Sequence, residues 1–313
     1  MPPRKIIIDT DPGQDDALAI LLALASPDDI DLLGIVAVAG NATLPQTQRN
    51  IRVICEVANR RDVKCFAGCD KPMSRPLLTA EHVHGATGLD GIDLPEPTMQ
   101  LQPQHGVDFI IDTLRSHEPG TVTLCPLGPL TNIATAMTRA PDIIPRIQDI
   151  VLMGGAYFEV GNITPAAEFN IYVDPEAADI VFRSGVKLTV VPLDVTHKVL
   201  TTKARIDAFR AFRTHLGDVI VAWLNFFERF DVQKYGSDGG PLHDPCVIAY
   251  LLEPHLFSGR FINVEIETQS PLTLGMTVAD WWGVTNRTRN AMFLGAVHAD
   301  GFYALLTDRL SRL

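Results

Sequence analysis

The chain has 313 residues, of which 46% are hydrophobic and 20% charged, and its formal net charge is −11. That composition supports a sizeable core and excludes a disordered chain. The negative balance argues against general affinity for nucleic acid or anionic membranes, while leaving a small nucleoside or nucleotide substrate open. In chain order, strand-like runs occupy Lys5–Asp9, Asp31–Ala39, Thr121–Pro126, Asp149–Met153 and Lys187–Leu193. They are rich in Ile, Val and Leu with little polar alternation, as in strands covered on both faces. Helical patterns fall at about 15–26, 44–60, 105–117, 129–139 and 174–184. This alternation predicts an α/β fold, a doubly wound and mostly parallel sheet with a Rossmann-like core.

The stretch 203–230 has helical period and carries Phe209, Phe212, Trp223, Phe226, Phe227 and Phe230. Beyond it, FINVEIETQSPLTLGMTVADWW reads as a strand pair joined by a turn, an expected β-hairpin at the sheet edge. No Gly/Ser linker, low-complexity tract or repeat divides the chain. A single domain over 1–313 is therefore expected, with 195–243 as a flap or cap. The apolar stretches are too short for a membrane span, and the run from Met1 straight into a strand pattern leaves a secretory signal unexpected. Five cysteines, an odd number, fit reduced thiols and a cytoplasmic location. Cys65 and Cys69 lack a second ligand pair at zinc spacing.

The densest chemistry lies in DTDPGQDD, where Asp9, Asp11, Asp15 and Asp16 crowd the end of the first strand. Ligands of open α/β sheets bind at the carboxyl ends of strands. Pro12 and Gly13 force a turn there. Asp15 and Asp16 then suit a helix start by capping and by the helix dipole. Capping does not explain Asp11, and like charges this close raise one another's pKa unless a cation joins them. All-oxygen clusters suit calcium or magnesium. In GGPLHDPCVIAY, Asp244 is either an N-cap ahead of Pro245 or a further acid of the same site, and His243 is a titratable donor beside it. In GGAYFEVGNITPAAEFNIYVDPEAA, Asn162, Glu168 and Asn170 are either turn-formers or groups that bond sugar hydroxyls. Asn41 and the turn Leu127–Gly128–Pro129 follow two further strands. His82 and His84 lie in a Gly-rich loop, where surface histidines are commoner than metal ligands.

These residues resemble the calcium-dependent nucleoside hydrolases, the inosine–uridine preferring group in particular. DTDPGQDDALAI, VAGN, HVHGATG, PLGPLTNIA, IVLMGGAY, AEFNIYVDPEAA, LDVTHK, HDPC and LTLGMTVAD recur in that family's order, from about Lys5 to Leu310. The resemblance implies a hydrolase that cleaves the N-ribosidic bond of ribonucleosides, with Ca²⁺ as cofactor. It assigns carboxylates of Asp11, Asp16 and Asp244 and the backbone carbonyl of Leu127 to the ion. The family often has Thr at the Leu127 position, and a main-chain ligand tolerates the change. Asp15, Asn41, Asn162, Glu168 and Asn170 match ribose-binding positions, and His84 a contact on the base side. Asp11 is the implied general base, His243 the general acid, and Asp9 a carboxylate behind the metal loop. Self-association as a dimer or tetramer is also implied.

Base preference is expected to depend on the loop near 73–90 and on 223–238, including Trp223, Phe227, Phe230, Gln233 and Tyr235. Such an aromatic stripe is equally a core pattern on a helix. Two other readings compete. Asp9 and Asp11 mimic the acid pair of haloacid-dehalogenase-like phosphohydrolases, but Pro12-Gly13 and two more acids follow where that class expects a Thr. A calcium-stabilised nucleoside binder without turnover is the other.

Overall fold

Ile6, Ile7 and Ile8 are all wholly buried, so the strand that carries them needs layers on both faces. A computed structural model supplies those layers and describes residues 2–313, apart from the side chains of Asp231 and Tyr235. The base contact expected of Tyr235 thus lies outside the described residues. The amino-terminal half runs β1 (Arg4–Thr10), α1 (Gln14–Leu24), β2 (Ile30–Ala37), α2 (Leu44–Val57), β3 (Cys65–Ala67), α3 (Glu81–His84), α4 (Gly106–Ser116), β4 (Val122–Pro126), α5 (Thr131–Arg139) and β5 (Ile147–Met153). Next come α6 (Phe169–Val173), α7 (Pro175–Phe182), β6 (Leu188–Val191), α8 (Leu193–Thr196), α9 (Lys203–Arg210) and α10 (His215–Tyr235). The chain ends with α11 (Pro245–Leu252), β7 (Phe257–Ile262), β8 (Val264–Ile266), β9 (Thr277–Ala279), β10 (Ala291–Val297) and α12 (Ala299–Leu310).

The main sheet has the order β3-β2-β1-β4-β5-β6-β10-β7. All its neighbours pair in parallel except β7, which runs antiparallel to β10 at the edge. From β1 the chain winds outward through β2 and β3, then returns to β4 on the other side. The switch point, and hence the crevice at the carboxyl ends, lies between β1 and β4. Ile6 and Ile8 pack with α1, α11 and α12 on one face, and Ile7 with α4, α5 and α7 on the other. The expected doubly wound α/β architecture is what forms.

Several boundaries differ from the sequence expectation. Leu193 does not extend β6, because Pro192 stands at the N-cap of α8 and turns the chain into it. The helical stretch 203–230 is two helices. Arg213, at φ 53°, takes the left-handed region, and the Thr214 hydroxyl accepts Gly217 N–H to start α10. The strand pair expected at the sheet edge is present as β8 and β9, but these form a separate two-stranded sheet. The edge itself is β7, exposed at four central positions and so without an apolar pattern. β3, at three residues, is too short to show a period.

Apolar residues of 195–243, among them Val199, Ile206, Phe209, Val219 and Trp223, join the same core as α1. Among the described residues no helix is long and apolar enough to cross a membrane. Because Ile8 fills the centre of the sheet, Ile8→Ala should lower unfolding free energy by about 2–5 kcal/mol. Urea unfolding measures this, and a loss below about 1 kcal/mol would contradict the packing described.

Candidate active site

The turn between β1 and α1 is built by its own acids. Asp16 accepts Gly13 N–H at 2.8 Å and the Thr10 hydroxyl, so this carboxylate does serve the helix start. Asp9 accepts the Asn132 amide at 2.7 Å, and Asn132 also holds Ala37 O and Cys69 N–H. That one amide ties β1, β2 and α5 behind the turn. Asp11 accepts Asn41 N–H at 2.7 Å, on the loop after β2. Its carboxylate fits there because both neighbours lack a side chain: a Cβ at Gly40 would lie 2.0 Å from Oδ2, and one at Gly128 2.3 Å from Oδ1.

Asp244 arrives from the far side at the start of α11. It occupies the N-cap position ahead of Pro245, yet its side chain makes no capping hydrogen bond. It is turned instead toward Asp15 and Asp16, and carboxylate oxygens of these three lie within 4.8 Å of one another. Asp11, expected among the metal ligands, stands outside this trio, and Asp15, expected on the sugar, stands inside it. Among the described residues the trio is the group of acids, histidines or cysteines able to share a metal. Neither the Cys65–Cys69 pair nor His82 with His84 does so.

Burial decides the electrostatics. It raises Asp9 and Asp15 to about 8, against the Asn132 amide in the first case and with the charge of Asp16 in the second. Asp11 and Asp244 are pushed well above the carboxylate range, first by burial, then by the neighbouring acids. Asp16 is raised by burial and partly relieved by Thr10. No lysine or arginine is among these causes. Asp9 Oδ1, Asp11 Oδ1 and Asp15 Oδ1 are buried without a hydrogen-bond partner. Unsatisfied, mutually repelling oxygens of this kind fit a hard divalent cation.

Above the acids opens a cavity of about 380 Å³, within the range of small-ligand sites. Asp15, Asn41, His84, Leu127, Asn162, Glu168, Asn170, His243 and Asp244 all line it. Asp9, Asp11 and Asp16 lie beneath, wholly buried. Three of the lining groups also have local partners. Glu168 caps α6 through Asn170 N–H and accepts Gly155 N–H, yet burial still raises it to about 7. Asn162 accepts Phe169 N–H, and the Asn170 amide donates to Leu127 O at 2.6 Å. That leaves the Leu127 carbonyl a second lone pair.

The histidines stand on the upper wall. Gln14 donates its amide to His84 O and Asp90 O, so its carbonyl faces the His84 ring and accepts from Nδ1 at 2.8 Å. Burial lowers His84 to about 3, and its ring stacks on Phe227 at 5.5 Å. His243 shares a 2.8 Å hydrogen bond with the Thr196 hydroxyl and is held well below the usual range by burial, then by His197 and His84. Phe227 and Phe230 line the cavity, whereas Trp223 is core. Asn132, Gln14 and Thr196 were not singled out from sequence. Each lies inside a quoted motif or beside an expected residue, and only its partner across the fold gives it a role.

A parallel-sheet enzyme with a buried-acid floor beneath a nucleoside-sized cavity at its switch point is the class that fold and site define. The chain belongs to the inosine-uridine preferring nucleoside hydrolase family, whose model matches residues 6–304, and it is a ribonucleoside hydrolase by that membership. It is 53% identical to an uncharacterised protein of Schizosaccharomyces pombe over 99% of both chains. It is 48% identical to the pyrimidine-specific ribonucleoside hydrolase RihA of Shewanella baltica, over 98% of this chain and 96% of that one. Its fold matches the purine-preferring ribonucleoside hydrolase from Gardnerella vaginalis with a TM-score of 0.92 at 32% identity, covering 98% of each chain.

The glycine cradle around Asp11 generates a direct test. Gly128→Ala should keep the circular-dichroism spectrum while lowering nucleoside hydrolysis about 10²-fold, the scale of effect that an ångström's misplacement has in an active site. Unaltered turnover would show that the position of Asp11 does not matter.

Proposed function

We propose that the protein is a Ca²⁺-dependent hydrolase that cleaves the N-ribosidic bond of pyrimidine ribonucleosides in preference to purine ones, releasing free base and ribose. The observation that carries this reading is Asp244: an acid at a helix start that leaves its cap unmade in order to face two other buried acids. Asp11, Asp16 and Asp244 with the Leu127 carbonyl would hold the ion. When bound, Ca²⁺ would offset the buried charges, orient ribose hydroxyls and make water more acidic.

The chain's own groups supply the rest. Asp15, Asn41, Asn162, Glu168 and Asn170 hold the ribose hydroxyls from the cavity wall. Breaking the bond between C1′ and the base nitrogen builds positive charge on C1′ and O4′, as in glycoside hydrolysis. Water forms the new bond to C1′ and gives its proton to Asp11, the general base. Asp9, locked by Asn132, keeps the turn in place. The departing base takes the bonding electrons, and His243 meets it as the acid. Burial lowers the proton affinity of His243, so its imidazolium is a strong acid present in small amount, which favours a base able to spread its charge onto ring oxygens, as uracil does. The RihA relatives named pyrimidine-specific support the same preference.

The segment 195–243 acts as a cap over the base end. We place the enzyme in the cytoplasm, in line with its free cysteines. Self-association is expected through exposed apolar side chains such as Phe158, Val160, Trp282 and Val284.

Ribose release from uridine, cytidine and inosine, with Ca²⁺ or with a chelator, tests the reading. Uridine should exceed inosine in kcat/KM at least tenfold, and chelation should abolish turnover until Ca²⁺ is restored. The reverse ratio would overturn the base preference, and absence of ribose from all three would overturn the hydrolase reading. Asp11→Asn should lower kcat by about 10²–10⁴-fold, the usual worth of a general base, while calorimetry still detects nucleoside binding.

Stability gives an independent check. Asp9 and Asp15 stay protonated in the fold up to about 8 but ionise near 3.8 when unfolded. Between those values the folded state binds more protons, so stability falls as pH rises. The chelated protein should therefore lose Tm from pH 5 to 8, and Ca²⁺ should restore it most at pH 8. A Tm independent of pH and of Ca²⁺ would contradict the proposed site.

A further inference from the structure

The cavity wall also holds a carboxylate–imidazole contact that the mechanism above does not use. Glu159, on the loop after β5, and His197, just past α8, both line the cavity and meet through His197 Nδ1 at 3.1 Å. Their side chains are 40% and 29% exposed, so the pair contributes little to stability. Its position is nevertheless fixed. The Asp194 carboxylate accepts the backbone N–H groups of Tyr157, Phe158 and Glu159 at 2.9, 2.7 and 3.3 Å. One residue on α8 thus fastens the loop that carries Glu159, and His197 follows three positions later, just past the end of that helix.

The His197 ring lies 6.0 Å from that of His243, centroid to centroid. Thr196, its chain neighbour, holds His243 Nδ1. His197 is therefore a neighbour of His243, the group proposed to meet the departing base. With Nδ1 engaged by Glu159, Nε2 has no hydrogen bond among the described residues. Ser237 Oγ, in the same lining, is buried and also without a partner. The ionisable groups around His197 are Glu159 on the loop, His243 ahead of α11, and Lys198 beside it, whose amine is turned to Gly295 O.

We propose that Glu159 orients His197 so that Nε2 contacts the ring carbonyl next to the glycosidic nitrogen of the departing base, which makes the pair a determinant of pyrimidine specificity. This rests on the nucleoside hydrolase reading. When the C1′–N1 bond of a pyrimidine nucleoside breaks, its electron pair passes to N1 and spreads onto the adjacent O2. Protonated His197, with its charge matched by Glu159, donates Nε2–H to that oxygen, and the contact strengthens as the bond breaks. A purine has no carbonyl beside its glycosidic nitrogen and forgoes the contact.

Glu159→Gln and His197→Gln test the proposal against two substrates, uridine and 4-nitrophenyl β-D-ribofuranoside, whose leaving group lacks that carbonyl. A hydrogen bond to a charged group is worth about 10–100-fold in rate. Each variant should therefore lose about that factor in kcat/KM for uridine, at least tenfold more than it loses for the nitrophenyl riboside. Equal losses on both substrates would overturn the assignment and leave the pair a loop-shaping contact, and unchanged uridine turnover would overturn it outright. A wild-type enzyme inactive on both substrates would instead overturn the hydrolase reading, and this inference with it.

Discussion

Repulsion among buried carboxylates is the constraint on which the rest of the structure depends. Asp11, Asp15, Asp16 and Asp244 are all at most 4% exposed, and Asp9 lies fully buried behind them. Two like charges about 4 Å apart cost on the order of 4 kcal/mol at an effective dielectric of about 20. A domain's whole stability is only about 5–15 kcal/mol. The fold therefore cannot hold several of these acids ionised without a compensating cation, and alone it holds protons instead. Everything that positions the acids is neutral: the Asn132 amide, the Asn41 and Gly13 backbone N–H groups, the Thr10 hydroxyl. These donors fix geometry and leave the net charge for something else to answer.

The sheet explains why the acids meet. Chain reversal from β1 to β4 opens a crevice at the carboxyl ends, and the DTDPGQDD turn and the Leu127 turn are its two lips. α11 packs against α1, so the start of one brings Asp244 over the start of the other. The cavity above is consequently two-ended. Acids and amides form one part of its lining, and imidazoles with Phe227 and Phe230 form another. A nucleoside has the same division, a hydroxylated sugar joined to a flat, polarisable base.

Much of this was legible in the sequence, for a physical reason. Uninterrupted Ile/Val/Leu runs have few destinations other than a covered sheet, and four acids around a Pro-Gly turn have few other than a cation. The residues that complete the site were less legible because their meaning is set by distant partners. Asn132 acquires its role from Asp9, 123 positions away, and Gln14 from His84, 70 positions away. A neutral amide carries no local pattern that reveals such a partner. The same holds for His197, which sits inside the LDVTHK motif but is given a direction only by Glu159. Asp244 could be read from sequence either as a cap or as a ligand, and only the orientation of its side chain separates the two. At the sheet edge the solvent-facing residues of β7 hid the strand, and the neighbouring β8–β9 pair, which does look like an edge hairpin, stands apart from the main sheet.

The central claim, that protons occupy the acid cluster until a cation replaces them, is tested most directly by calorimetric titration of the metal-free protein with Ca²⁺ near pH 7. Repeating the titration in buffers of different ionisation enthalpy counts the protons released per ion bound. With burial raising Asp9 and Asp15 to about 8 and pushing Asp11 and Asp244 well above the carboxylate range, the account predicts release of at least one proton per Ca²⁺. Tight binding with no proton release would show that the carboxylates were already ionised and would contradict it.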